Sequence, residues 1–361
     1  MDPVRRSIID HRLAAQRLAG NKAVDVAGVV AGFAAMQGQE YLMARWSIGQ
    51  RSVDATEGDV DAALADGTVI RTHVLRDTWH IAARDDIRWL MDLTAPRVHQ
   101  RNGTMQRRLG LDAATLAGGA GLMAEALRGG AHLTRPELAA ALAAGGITAS
   151  GMALTYHVMY AELEQVVCSG GLRGKQHTYA LFDEVVPPTP TLPTDEALAR
   201  LVVRYVAGHG PATVKDVATW ASMKLADVRR GVEVAGERLR ATEHEGRTYL
   251  APAGPAPEPE PGAPRAELLQ LLDEYLIGFS ESRDLASPPE MAALFRTHGD
   301  RYFHVVLLDG IAVGLWRRDR VGRGVTVDTV FTRDLRRDEQ RQVDDATERY
   351  IAHAGAAPGD A

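Results

Sequence analysis

The chain has 361 residues, with 41 Lys and Arg against 47 Asp and Glu, a net charge of -6 and 45% hydrophobic residues. That length exceeds one ordinary core, so about two to four domains of a soluble globular protein are expected. The single cysteine, Cys168, excludes a disulfide framework and a cysteine-rich zinc site. Arg5, Arg6, Asp10, Arg12 and Arg17 interrupt any signal peptide, and the longest apolar run, near Val26 to Met36, is far short of a membrane span, which predicts a cytoplasmic protein.

In chain order, Ile8 to Leu18 reads as a helix and Asp25 to Met36 as a second, with Val26, Val29, Val30, Phe33 and Met36 at helical spacing and Gly38 placed as its C-cap. Tyr41 to Ile48 and Asp59 to Ala65 follow as helices. Val69 to Leu75 and Thr78 to Ala82 then read as paired strands. Three helices and a hairpin make a winged helix, a helix-turn-helix variant. The pattern recurs with a helix capped at Thr134-Arg135-Pro136-Glu137, a helix from Met152 to Cys168 and a basic wing from Gly170 to Leu181. A third copy has Leu198, Leu201, Val202 and Tyr205 as a stripe, a short helix from Pro211, a candidate recognition helix from Lys224 to Val234 and a wing from Leu239 to Leu250.

After a Pro- and Glu-rich stretch, Tyr302 to Leu308, Ala312 to Arg317 and Gly324 to Phe331 read as strands, with Asp309-Gly310 as a hairpin turn and a closing helix from Asp338 to His353. The fold class is therefore α+β, tandem winged helices with a C-terminal β-rich domain. Its expected units are 1–95, 96–190 and 191–252, a linker at 253–264, and 265–361.

Charge is unevenly spread. Arg97, Arg101, Arg107 and Arg108 lie in a stretch without acids, Arg173 and Lys175 lie in the second wing, and Arg317, Arg318, Arg320 and Arg323 surround the last hairpin. A DNA-binding protein needs only one basic face, so these ten are the candidate DNA contacts; solvated surface charge explains any one cluster equally well. No zinc-binding His-Glu-x-x-His helix, phosphate loop or Gly-x-Ser-x-Gly elbow is present, and no metal or cofactor is expected. Gln37 and Gln39 flank Gly38, where an extended chain would turn both amides to one side, though a polar interhelical loop is the plainer reading of that segment alone. Arg76, Thr78 and His80, at i, i+2 and i+4, would share a strand face, which alone reads as an exposed one.

The runs Gln37-Gly-Gln-Glu-Tyr, Ala44 to Arg51, Leu75 to His80, Asp85 to Trp89, Asp273-Glu-Tyr-Leu-Ile-Gly-Phe279 with Arg283, and Val306 to Trp316 together resemble the AlkZ/YcaQ winged-helix family. The resemblance runs in order from about residue 11 to residue 353. It implies a concave DNA-binding surface and a glycosylase that excises bulky alkylated purines, crosslinks included, in DNA repair or in self-resistance to a DNA-alkylating natural product. It implies Gln37 and Gln39 as catalytic residues, matching the two ends of a Gln-aliphatic-Gln/Asp motif, with Gly38 departing at its centre. Arg76, Thr78 and His80 are then expected to line the site, and the partner is double-stranded DNA carrying alkylated purines, met by a monomer.

An amide cannot ionise, so the pair can only hold and aim a water. A purine alkylated at N7 or N3 leaves as a neutral base without a proton, and positioning contributes up to about 7–11 kcal/mol in favourable cases. A strand-cleaving lyase would need an amine, and only Lys22, Lys175, Lys215, Lys224 and the N-terminus offer one, so a monofunctional enzyme is expected. A winged-helix transcription regulator is the alternative, needing the basic wings but not the glutamines; a protein-interaction scaffold fits the negative net charge.

Overall fold

The computed structural model describes residues 2–255, 257–263, 265–321 and 324–355; Arg323 lies outside them, and Arg320 is described by its backbone alone. Helix α1 (Pro3–Ala15) is capped by Asp2, with Pro3 in the first turn, where its missing N–H leaves no bond unmade. Helix α2 (Val26–Phe33), capped by Asp25, buries Val26, Val29, Val30 and Phe33. It stops earlier than the apolar spacing suggests. Ala34 takes φ 65° and turns the chain into strand β1 (Ala35–Gln37), so Gly38 is not a helix cap and Met36 is buried from a strand.

Helices α3 (Tyr41–Gly49) and α4 (Glu57–Ala65) and strands β2 (Val69–His73) and β3 (Trp79–Ala83) complete the first unit. Strand β3 lies between β1 and β2, antiparallel to both. Helix α5 (Arg84–Arg108) runs unbroken for 25 residues across position 95 and carries Pro96 inside it.

Helix α6 (Ala113–Leu127), strand β4 (Leu133–Thr134), helices α7 (Arg135–Ala144) and α8 (Gly151–Leu163) and strands β5 (Val167–Arg173) and β6 (Gln176–Leu181) repeat the order of the first unit, and the sheet order β4-β6-β5 matches β1-β3-β2. Thr134 and Glu137 form the expected capping box. Cys168, expected in a helix, is buried in β5, because α8 ends at Leu163 and Gln165 turns the chain with φ 55°. After the short α9 (Phe182–Val185), helices α10 (Thr194–His209), α11 (Val214–Trp220) and α12 (Leu225–Ala235) and the hairpin β7 (Leu239–His244) and β8 (Arg247–Pro252) give the order once more, with a lone bridge between Ala212 and Leu250 in place of the first strand.

The C-terminal part holds an antiparallel sheet of β9 (Ala266–Leu269), β10 (His304–Leu308), β11 (Ile311–Val321) and β12 (Gly324–Phe331) in the order β12-β11-β10-β9, with helices α13 (Glu274–Ile277), α14 (Glu290–His298) and α15 (Arg337–Gly355). Asp309 and Gly310, with φ 51° and 77°, make the tight turn joining β10 to β11. The first unit is clasped on two sides. Ala35, Ile70 and Ala82 share a core with Leu201, Tyr205 and Trp220 of the third, while Met43 and Trp46 share another with Leu268, Trp316 and Tyr350.

Candidate active site

The site is built at the end of an edge strand. In the β1–β3 ladder Gln37 stands directly opposite His80, and the Gly38 N–H donates to the Trp79 carbonyl at 2.8 Å. Directly opposed residues point to the same face of a sheet, so the register turns Gln37 and His80 the same way. A Cβ on Gly38 would meet Ile81 Cγ1 at 3.0 Å and the His80 carbonyl carbon at 3.3 Å; glycine lets the strand end lie this close.

The two amides are set differently. Gln37 is 6% exposed, and its Oε1 accepts from the N–H groups of Gly38 at 3.0 Å and Gln39 at 2.9 Å. Both lone-pair directions are thus filled, and Nε2 is left with no protein partner among the described residues and is not sealed from solvent. Gln39 is exposed, and its Oε1 takes a single longer bond from the Trp79 N–H at 3.3 Å. One amide therefore offers a donor, and the other a donor and a free acceptor direction.

Arg76 and Thr78 sit in the bend before β3 rather than on a strand, so they do not share a strand face with His80. Hydrogen bonds bring the three together instead. The His80 Nδ1 faces the Thr78 carbonyl at 2.9 Å, and Arg76 Nη2 lies 3.2 Å from Nε2. An arginine can only donate, so Nε2 accepts and Nδ1 carries the proton. Complete burial, reinforced by the Arg76 charge, holds the His80 pKa well below its usual value and keeps the ring neutral. Arg71 supports the loop, its Nε donating to the Gly38 carbonyl at 2.8 Å and its guanidinium lying 4.5 Å from the centre of the Trp79 ring.

Beneath the loop is a group that sequence reasoning quoted but gave no role. The carboxylate of Glu274, 1% exposed, accepts the Gln37 N–H at 2.7 Å through Oε1, and takes His209 at 3.0 Å and the Trp220 indole at 2.9 Å through Oε2. Burial pushes its pKa upward, but the His209 bond and charge, the charge of Arg76 and the indole N–H together hold it below the usual carboxylate range. The neighbouring Asp273 is gripped by Arg51 through two bonds of 2.6 and 2.9 Å and by Ser47 at 2.8 Å. Its sequence signal was an acidic pair heading an otherwise apolar segment.

The basic residues divide. Arg97 and Arg101 donate to Ser222 in the turn after α11, Arg173 pairs with Glu137 at 2.7 Å, Arg317 with Asp319 at 2.9 Å and Asp328 at 3.3 Å, and Arg318 donates to the Tyr350 hydroxyl. Arg107, Arg108 and Lys175 are exposed and have no acidic partner among the described residues. The second wing also reaches the glutamine segment, because the His177 ring packs edge-on against Tyr41 at 4.7 Å. Among the described residues no group of three or more His, Cys, Asp or Glu side chains could hold a metal, and no helix is long and apolar enough to cross a membrane.

A family model described as DNA glycosylase AlkZ-like matches residues 30–353. The chain is 24% identical over 377 residues to an interstrand DNA cross-link repair glycosylase of Streptomyces sahachiroi, covering 98% of this chain and 96% of the relative. The solved structure of Streptomyces sahachiroi DNA glycosylase AlkZ superposes with a TM-score of 0.78 at 22% identity, covering 97% of this chain and 96% of that one. With the match spanning both the glutamine loop and the Asp273-Glu274 segment, the chain belongs to the AlkZ-like DNA glycosylase family.

Proposed function

We propose that the chain hydrolyses the N-glycosidic bond of purines alkylated at N7 of guanine or N3 of adenine in double-stranded DNA, with Gln37 and Gln39 holding the attacking water. The observation that carries this reading is the unlike setting of the two amides: Gln37 presents Nε2 as a donor to the water oxygen, while exposed Gln39 keeps a direction of Oε1 free to accept a hydrogen bond from that water, whose proton passes to solvent. Neighbouring ionisable groups cannot serve as acids, since His80 is neutral with both nitrogens bonded and Glu274 is committed to three donors. A site without a proton donor suits a cationic base, which departs neutral.

Gln39 lies at the surface, so a bulky adduct or an interstrand crosslink need not be flipped into a closed pocket. The crosslink activity in the relative's name fits the same chemistry, in DNA repair or in self-resistance to a DNA-alkylating natural product. The three helix, strand, helix, helix, strand, strand orders read as winged-helix units of one monomer. Arg107, Arg108 and Lys175 are the cations best placed for phosphate. The regulator reading has no feature of its own to favour it and leaves the glutamine loop without a role.

Catalysis by water leaves an intact abasic site. Lys175 is the amine to watch, since its hairpin approaches the loop. With an end-labelled duplex carrying N7-methylguanine, we expect base release, strand breakage only after alkali and no borohydride-trapped complex. Breaks before alkali or a trapped adduct would overturn the water mechanism; no base release from any alkylated duplex would overturn the glycosylase reading.

A further inference from the structure

The excision chemistry leaves Glu274 unexplained: a carboxylate 1% exposed, brought by the first residue of α13 into contact with the backbone of a glutamine 237 residues earlier. The ladder shows why an acceptor is needed there. Gly38 N–H bonds to the Trp79 carbonyl, so the next pair, Gln37 and His80, is of the type whose N–H and C=O groups point away from each other's strand. The Gln37 N–H is thereby aimed off the free edge of β1 into buried space, and Glu274 Oε1 meets it at 2.7 Å.

A neutral oxygen would satisfy that N–H; a carboxylate holds it with a stronger bond. The carboxylate is itself held. Oε2 is fixed by His209 at the end of α10 and by Trp220 at the end of α11, and the His209 ring is stacked on Tyr205 at 4.3 Å. The Tyr205 hydroxyl in turn donates to the Gly278 carbonyl of the same segment as Glu274. With the Gln37 backbone fixed, its Oε1 is pinned by two N–H groups, and the direction of Nε2 follows.

We infer that Glu274 is a positioning residue for base excision: it fixes the backbone of Gln37, hence the aim of the Gln37 amide, and through His209 and Trp220 ties that aim to the third helical unit. The inference rests on the glutamine reading above. It assigns no contact between Glu274 and the lesion.

The test uses the full chain and three variants. Glu274→Ala removes the acceptor. Glu274→Gln keeps one acceptor oxygen where two sides each require one, and Glu267→Gln neutralises a different buried carboxylate, one paired with Arg349 at 3.3 Å in the C-terminal sheet. Single-turnover release of N7-methylguanine, DNA affinity, thermal melting and exchange of the Gln37 amide proton are measured on each. We expect Glu274→Ala to slow release about 10²-fold, as a small misplacement of a catalytic group does, with DNA affinity unchanged and Gln37 amide protection lost. Glu274→Gln falls between, its rate following its amide protection, and Glu267→Gln, whose melting shows that it folds, releases base at the wild-type rate per folded molecule. If Glu274→Ala fails to fold, the Glu274→Gln comparison decides. Wild-type rates in the Glu274 variants, or an equal fall in Glu267→Gln, overturn the positioning role alone; a wild-type chain that releases no base overturns the glycosylase reading and this role with it.

Discussion

Arg51 shows how this molecule uses charge in its interior. Its guanidinium is fully buried, forked onto both oxygens of Asp273, and satisfied further by the Gln16 carbonyl at 3.0 Å and the Ser47 carbonyl at 2.8 Å. Such a pair adds little net stability compared with apolar packing, but removing one partner strands the other, at about 3–5 kcal/mol. We expect Arg51→Met to lower the unfolding free energy by about that amount, read from the urea midpoint; a loss within the usual surface range of about 0.5 kcal/mol would contradict a stranded Asp273. Buried arginines were illegible in the sequence, where a basic residue reads as surface. Nor did the sequence show that Arg97, Arg101, Arg173, Arg317 and Arg318, expected as DNA contacts, each meet a partner within the chain. Gln37 and Gln39 stood out by their spacing around Gly38, and the resemblance gave that spacing its weight. That Gln37 turns its oxygen onto its own loop depends on a strand the sequence reading did not contain.

At the scale of elements, the periodic ones were read well and the aperiodic ones were not. Helices α3, α4, α10 and α12 and the hairpins β2–β3, β7–β8 and β10–β11 fall where apolar spacing and turn residues place them. Strand β1 was missed because Val26 to Phe33 keeps helical spacing and Met36 happens to continue it; only the positive φ of Ala34 breaks the pattern. Helix α5 was missed for the opposite reason, since Pro96 and a polar second half hide 25 helical residues. Helix α6 carries Gly118, Gly119 and Gly121, poor helix formers, yet Leu116, Ala120, Met123 and Leu127 are buried along one side. The site inherits these misses. Arg76 and Thr78 reach His80 from a bend, and the contact with Glu274 joins elements far apart in sequence.

For the whole molecule, burial of neutral histidines sets the response to acid. Burial, helped in each case by nearby arginine, holds the pKa of His80 well below 6.5 and those of His177 and His304 down at about 4. The unfolded chain takes up these protons below pH 6.5 and the folded chain does not, so the stability is complete above pH 6.5 and is lost as pH falls toward 4. The slope reaches about 1.4 kcal/mol per pH unit for each fully buried histidine. Glu267 works the other way between pH 7 and 4.5, because burial lifts its pKa to about 7, but it is one group against several. The urea midpoint should therefore be lower at pH 5 than at pH 7; an equal or higher midpoint would contradict the neutral assignment of His80 and His304.

The same tertiary closure that buries those histidines holds two uncharged amides at the end of β1, and we propose that these perform the excision. The most direct test is release of N7-methylguanine from duplex DNA by Gln37→Ala and Gln39→Ala under single-turnover conditions, alongside their affinity for the same duplex. We expect each variant to release base about 10²-fold more slowly than the wild-type chain, as loss of a positioned group does, while binding the duplex with unchanged affinity. Release at the wild-type rate by both variants would show that the glutamines do not carry the chemistry.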